Sequence, residues 1–256
     1  MIATGYQLPF RFTCPAARSV QGRPVAIRVA TAQADAGDAV GAAMQLFAAL
    51  AATGACGGTA VAPWDTAFHL ASRTAADPRH AEWVADPCHV AAEAWVVLCH
   101  LMLRVHQIVP LDAVDVQVAD GSPQVVLGTD AQGESTYPRA FPHLPFDLVD
   151  NEPEGGTYSF HIDMAAPLDA AHGVTLDSWL DAWVGTVRAG GYGLAPVDVA
   201  KDYVEPLMEG ADAYDTTVEW AVCKLRADPE AAIDGLLNLL GCFHVRHQPI
   251  IAVEIE

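Results

Sequence analysis

The stretch Gly57-Gly58-Thr59-Ala60-Val61-Ala62-Pro63-Trp64-Asp65 is echoed by Gly190-Gly191-Tyr192-Gly193-Leu194-Ala195-Pro196-Val197-Asp198. Five of the nine positions are identical, and the two stretches lie 133 positions apart. Self-similarity at a fixed spacing is the sequence signature of a repeated structural unit. These nine residues therefore predict that the chain contains two copies of one unit.

Upstream of both stretches, the same spacing joins two segments in which apolar residues alternate with polar or small ones. Val25, Ile27 and Val29 correspond to Tyr158, Phe160 and Ile162. This period of two predicts a strand with one buried face in each copy. Residues 42–50 and 176–184 then show helical patterns, and the second helix is expected to begin at Thr175 or Asp177 and to stop at Gly190.

Downstream, the similarity returns with gaps, as Glu82-Trp83 matches Glu219-Trp220 and Asp86-Pro87 matches Asp228-Pro229. An Asp-Pro pair is typical of a helix start, which predicts second helices near 88–106 and 229–242. Alternating strands at 114–118 and 251–255 follow. Middle strands are expected near 59–61 and 217–225.

The resulting order in each copy is β-α-β-β-α-β. It predicts an α+β fold (an α/β sandwich) with an internal duplication of a ferredoxin-like unit, whose mainly antiparallel sheet carries its helices on one face. Residues 1–120 form the first predicted unit and 157–256 the second. Residues 121–156 form a connector rich in Gly, Pro and acidic residues, in which 125–127 are expected to add a short strand.

The charge of the chain is one-sided, with 13 Lys and Arg against 32 Asp and Glu and a net charge of −19. Direct binding to nucleic acid is disfavoured, because phosphate backbones are bound by clusters of Lys and Arg. An acidic surface favours rapid encounter with a basic protein. Solubility, codon usage and adaptation to high salt are alternative explanations of the same composition.

We therefore expect a non-catalytic acidic binding protein, of the kind represented by bacterial immunity proteins that inhibit a basic toxin effector. This expectation is an analogy at the level of protein class. The candidate partner-binding residues combine an aromatic anchor that follows a proline with acids of the connector and of the repeated stretches: Trp64, Asp65, Asp147, Asp150, Glu152, Glu154 and Asp198.

The alternative is an enzyme or a small-molecule binder that uses a cleft between the two units. His161 and Asp163 share one face of a predicted strand, and a carboxylate beside an imidazole suits acid–base chemistry. His244 and His247 would complete such a pocket. No nucleophile motif accompanies them, and a polar sheet face explains His161 and Asp163 equally well.

Six cysteines without a CxxC motif, and a start that lacks the features of a signal peptide, favour reduced, buried thiols in a cytoplasmic protein. Cys99, His100 and His106 have an echo in Cys242, His244 and His247, but these spacings match no metal-binding pattern. No metal or other cofactor is expected. The most apolar stretch, 90–105, contains three ionisable residues and is shorter than the roughly 20 residues of a membrane span.

Overall fold

The structure is a computed structural model that describes residues 8–16, 19–32, 37–57, 68–73, 77, 79–86, 89–127, 141, 143–151, 157–192, 209–214, 216–223 and 229–256. These ranges contain thirteen strands and four helices. In chain order they are β1 (Arg11–Pro15), β2 (Ser19–Gln21), β3 (Val25–Thr31), α1 (Gly37–Thr53), β4 (Leu70–Arg73), β5 (His80–Ala85), β6 (His89–Ala91), α2 (Glu93–Ile108), β7 (Leu111–Val118), β8 (Gln124–Leu127), β9 (Asp147–Asp150), β10 (Thr157–Met164), α3 (Ala170–Arg188), β11 (Glu209–Tyr214), β12 (Thr217–Cys223), α4 (Pro229–Arg246) and β13 (Ile250–Ile255).

The strands form two large sheets and one small one. The first sheet has the order β4-β5-β3-β7-β1-β8, and the second has the order β11-β12-β10-β13-β9. Strands β2 and β6 pair separately. Neighbouring strands are antiparallel, except that β1 runs parallel to β7 and β9 runs parallel to β13. The predicted α+β class with mainly antiparallel sheets is confirmed.

Equivalent strands lie in the same order across the two large sheets. Strands β9, β10, β11, β12 and β13 occupy the places of β1, β3, β4, β5 and β7. The directions of pairing also agree, including the single parallel pair in each sheet. The first sheet differs by one additional strand, β8, which pairs antiparallel with β1.

One face of each sheet is buried because apolar residues recur at every second position. In β3, Val25, Ile27 and Val29 are fully buried, whereas Arg28 is exposed. Helix α1 packs against α2, α3 and α4, and one hydrophobic cluster includes buried residues from both sheets and all four helices. The helices therefore lie between the two sheets, and each sheet turns its other face outward.

The contacts between the two helical layers are reciprocal. The imidazole Nδ1 of His100 in α2 lies 3.1 Å from the carbonyl oxygen of Gly191, in the loop after α3. Asn238 in α4 donates to the carbonyl oxygen of Ala55, in the loop after α1, at 3.4 Å. Gly57 and Gly190 turn these two loops with φ of +75° and +76°, a conformation that favours glycine.

Several predicted boundaries are wrong. Asp86-Pro87 does not begin a helix, because β6 intervenes and α2 begins at Glu93. Helix α3 begins at Ala170 rather than near 176, and its N-cap is Asp169, whose carboxylate accepts from the backbone N–H of His172. The strand expected at 125–127 is present as β8, and the one expected at 217–225 as β12. The strand expected at 59–61 lies outside the described residues.

The predicted connector, 121–156, contributes a strand to each large sheet, β8 to the first and β9 to the second. The division into two units and a connector stays a prediction. No helix in the described ranges is long and apolar enough to cross a membrane.

Candidate functional site

The two sheets carry equivalent rows of residues, which strand pairing brings into line. In the first sheet the row is Thr13, Asp115, Arg28, Glu82 and Arg73. We call this set the first outer row. Its charges alternate, so that each acidic residue lies between partners able to donate to it.

Contacts along the first outer row offset its acidic charge. The carboxylate of Asp115 accepts from the hydroxyl of Thr13, and the guanidinium of Arg11 lies 3.3 Å from the same carboxylate. On the other side, Arg28 Nε lies 3.5 Å from Glu82 Oε1. The first outward face is therefore close to neutral.

The second outer row consists of Val149, Glu254, His161, Glu219 and Asp212, at the equivalent strand positions. His161 occupies the place of Arg28, between Glu254 and Glu219 in register. A second acidic residue, Asp212, occupies the place of Arg73. The alternation of charge is lost, and acidic positions dominate the row.

The composition of the strands extends this contrast to whole sheets. The strands of the first sheet contain three Arg and three acidic residues. The strands of the second contain seven acidic residues and neither Arg nor Lys. The second sheet is therefore a candidate surface for a basic partner.

Polar contacts on the second outward face hold some of these acids in place without neutralising them. Asp163 accepts from the hydroxyl of Thr217 at 2.9 Å, and Glu254 accepts from the side-chain amide of Asn151 at 3.2 Å. The imidazole Nε2 of His161 lies 3.9 Å from a carboxylate oxygen of Glu256. These contacts leave negative charge at the surface.

Two of the predicted partner-binding residues, Asp147 and Asp150, lie on β9 at the edge of the second sheet, and both are exposed. Asp147 is in register with Ala252, which is in register with Asp163, so it belongs to the outward face. The phenol of Tyr158 has a pKa raised by burial and, to a lesser extent, by the negative charge of Asp150. The other five, Trp64, Asp65, Glu152, Glu154 and Asp198, lie outside the described residues.

The four residues of the alternative pocket do not form one site. His161 and Asp163 lie on the outward face of β10, while Phe160 and Ile162, their neighbours in the strand, are fully buried on the other face. His244 and His247 belong to the end of α4, on the helix-covered side of the sheet. The sheet therefore separates the first pair from the second.

His244 has a structural role that recurs in the first half of the chain. The backbone N–H of Ile250, at the start of β13, donates to His244 Nδ1 at 2.9 Å. The N–H of Leu111, at the start of β7, donates to His106 Nδ1 at 3.0 Å. Each histidine thus joins the end of a helix to the strand that follows it.

Aromatic contacts complete this arrangement in both halves. Phe10 lies before β1 with its ring centroid 5.5 Å from that of His106, and Phe146 lies before β9 at 6.3 Å from His244. The sequence pattern paired His106 with His247, and the contacts of the two side chains do not support this pairing. His106 corresponds in space to His244, because both accept from the first residue of the final strand.

His247 packs in an aromatic cluster between α3 and α4. Its ring centroid lies 5.2 Å from those of Trp179 and Phe243 and 6.0 Å from that of His172. Burial, followed by the charges of Arg246 and His172, lowers the pKa of His247. Arg246 lies over the face of Trp179, 5.3 Å from its centroid, as in a cation–π contact.

The cysteines whose side chains are described do not resemble reactive or ligating thiols. Cys14, Cys56, Cys99 and Cys242 are buried and form no disulfide. Burial raises the pKa of Cys14 and of Cys242 to about 12, which suppresses the nucleophilic thiolate. Within the described ranges, no group of three or more His, Cys, Asp or Glu side chains is placed to hold a metal ion.

Sequence reasoning identified His161 only as part of a pocket and missed two features of the outward faces, the charge pairing around Arg28 in the first outer row and Glu254 in the second. The signal was present in part, since the spacing of 133 already carries Arg28 onto His161.

Comparison of the chain with models of known families, with curated proteins and with solved structures finds no match.

Proposed function

We propose that this chain is a non-catalytic acidic binding protein, of the immunity or inhibitor kind, that neutralises a basic partner such as a toxin effector. The observation that carries the proposal is the second outer row, in which His161 and acidic positions replace the alternating charges of the first. A single-sign surface accelerates encounter with a partner of opposite charge and disfavours partners of like charge.

We also infer that the two halves arose by duplication of a ferredoxin-like unit. The equal strand order of the two sheets, the equivalent contacts of His106 and His244, and the matching turns at Gly57 and Gly190 support this inference. In β10-α3-β11-β12-α4-β13 the sheet order β11-β12-β10-β13, with every neighbour antiparallel, is the order expected of such a unit. After a duplication, one outward face is free to acquire a binding role while the other retains balanced charges.

The test is a binding titration with polylysine as the basic probe. A triple variant, Asp147→Asn with Asp163→Asn and Glu254→Gln, removes three acids from the second outward face. A matched control, Asp38→Asn with Asp86→Asn and Asp112→Asn, removes three exposed acids from the first half. Both variants change the net charge equally, so that a difference between them reports on location.

We expect the second-sheet variant to weaken polylysine binding roughly tenfold at low salt, because exposed charge pairs contribute about 0.2–1 kcal/mol each. The control is expected to change it about twofold or less. Equal losses in both variants would show that only net charge matters, and the proposal would then be rejected. With a basic protein identified from the host, the same two variants test the biological partner directly.

A further inference from the structure

The edge strand β9 differs from its counterpart β1 in what covers it. Strand β1 is enclosed by β7 on one side and β8 on the other. Strand β9 pairs with β13 on one side, and no described strand pairs with its other side. Among the described strands, the second sheet therefore has an open edge at the position that β8 fills in the first.

Residues of β9 are more exposed than the residues at equivalent positions of β1. Thr13, which is in register with Val126 of β8, is 8% exposed, whereas Val149 is 45% exposed. Phe12 is fully buried, whereas Leu148 is half-buried. Cys14 is buried, and its counterpart Asp150 is exposed. An exposed edge with an apolar side chain is a template for pairing with another strand.

The direction of the backbone groups identifies the amides that are available. The N–H of Asn151 donates to the carbonyl of Ile255 in β13, so the N–H of Val149, two residues earlier, also points toward β13. The amides of Leu148 and Asp150 then point to the open edge. In β1 the equivalent direction leads to β8, as the N–H of Ala16 donates to Pro123.

Charge decides which kind of strand fits this edge. Asp147 and Asp150 point to opposite faces of β9. In an antiparallel pair of β9 with β9 of a second copy, Asp147 or Asp150, depending on the register, would lie close to the same residue of that copy. Like charges at such positions are destabilising. A segment that carries Lys or Arg would instead gain from Asp147, Asp150 and the nearby Glu254.

We propose that β9 accepts an extended, lysine- or arginine-containing segment of the partner as an additional antiparallel strand, in the place that β8 occupies beside β1. Main-chain hydrogen bonds to Leu148 and Asp150 would supply affinity, and the acids on either side would supply the preference for basic side chains. This inference rests on the proposed function and names the mode of recognition.

The probe is a synthetic peptide in which lysine alternates with valine, compared with the same peptide N-methylated at every residue. N-methylation keeps the charge and removes the backbone donors. We expect it to weaken binding about tenfold or more. We also expect the unmethylated peptide to slow hydrogen exchange at the amides of Leu148 and Asp150 in the unaltered protein.

The protein variants are Asp150→Pro and Asp150→Asn. Both remove the charge, but only proline removes the amide at the open edge, a position where proline is tolerated in a strand. We expect Asp150→Pro to bind the unmethylated peptide about tenfold more weakly than Asp150→Asn. Should Asp150→Pro fail to fold, the exchange measurement on the unaltered chain decides the question.

The outcomes separate the two proposals. If neither peptide binds, the proposed function fails and this inference fails with it. If both peptides bind equally, or if Leu148 and Asp150 gain no protection, the edge inference alone is overturned and charge attraction stands. Equally strong binding of a peptide in which glutamate alternates with valine would contradict the preference for basic side chains. Protection from hydrogen exchange that grows with protein concentration, in the absence of peptide, would indicate a second copy of the chain at the edge. Either result would also overturn the edge inference.

Discussion

The two sheets share a strand order but differ in two features of their surfaces, the pairing of charges and the covering of one edge. The first outer row neutralises its own charges through Arg11, Arg28 and their acidic neighbours, whereas the second does not. The first sheet covers its β1 edge with β8, whereas the β9 edge lacks such a cover among the described strands. The same arrangement of strands thus yields one closed surface and one that offers both charge and backbone groups.

The largest effect is expected from truncating the side chains beneath the two edges. Phe12→Ala removes a fully buried ring and should lower the free energy of unfolding by about 3–5 kcal/mol. Leu148→Ala, at the equivalent half-buried position, should cost about 1–2 kcal/mol because part of that side chain already contacts water. Urea denaturation of both variants measures the difference. Equal costs would mean that the β9 edge is as enclosed as the β1 edge.

The histidines at the helix ends provide the test of what the halves share. His106→Leu and His244→Leu each leave a buried N–H at the start of a strand without its acceptor, at a cost of about 1–3 kcal/mol. Asparagine at either position offers an acceptor of similar placement and should recover part of the loss. If only one of the two histidines matters for stability, their roles in the two halves are not equivalent.

The dependence of stability on alkaline pH should test whether Cys14 is enclosed, in contrast to its exposed counterpart, Asp150. An ordinary thiol loses its proton near 9.0, whereas burial raises the pKa of Cys14 in the folded chain to about 12. Between these values the unfolded chain binds fewer protons than the folded one, so stability falls as pH rises. Denaturation at about pH 8 and about pH 10 should show this decrease. Cys14→Ala should reduce it, and an unchanged slope would contradict the assignment to this thiol.

The smallest effect is expected from exchanging the residues at the centre of the two outer rows. Arg28→His should destabilise the first sheet by less than about 1 kcal/mol, since the ion pair with Glu82 is at the surface. His161→Arg should place a cation between Glu254 and Glu219, as Arg28 lies between Asp115 and Glu82, and leave stability nearly unchanged. It should also weaken polylysine binding by about twofold to fivefold. Binding that does not respond to His161→Arg would indicate that this row is not the contact surface.

The alternating patterns at Val25–Val29 and Tyr158–Ile162 were sufficient to predict strands, because a sheet with one buried face imposes a period of two. The start of α2 was not predictable from Asp86-Pro87, since local capping residues do not reveal that a short strand, β6, pairs with β2 first. Strand β9 was missed because Asp147-Leu148-Val149-Asp150 is short and acidic and lies within a connector-like segment.

The candidate surface was harder to predict than the fold. Asp147 and Asp150 were identified as acidic residues of a connector, but their place at a sheet edge depends on pairing with β13, more than a hundred residues later. The contrast between Arg28 and His161 needs the register of three strands in each sheet. Such long-range register is set by tertiary packing and is not encoded in any local pattern.

The reciprocal contacts of His100 and Asn238 have a consequence for how the chain tolerates breakage. Because all four helices lie between the sheets, each half covers the apolar helix surface of the other, as two subunits of an obligate dimer do. A fragment containing only one half would expose that surface to water and is expected to aggregate or to associate with a second fragment. Premature termination between the halves would therefore remove the whole protein and not only one binding face.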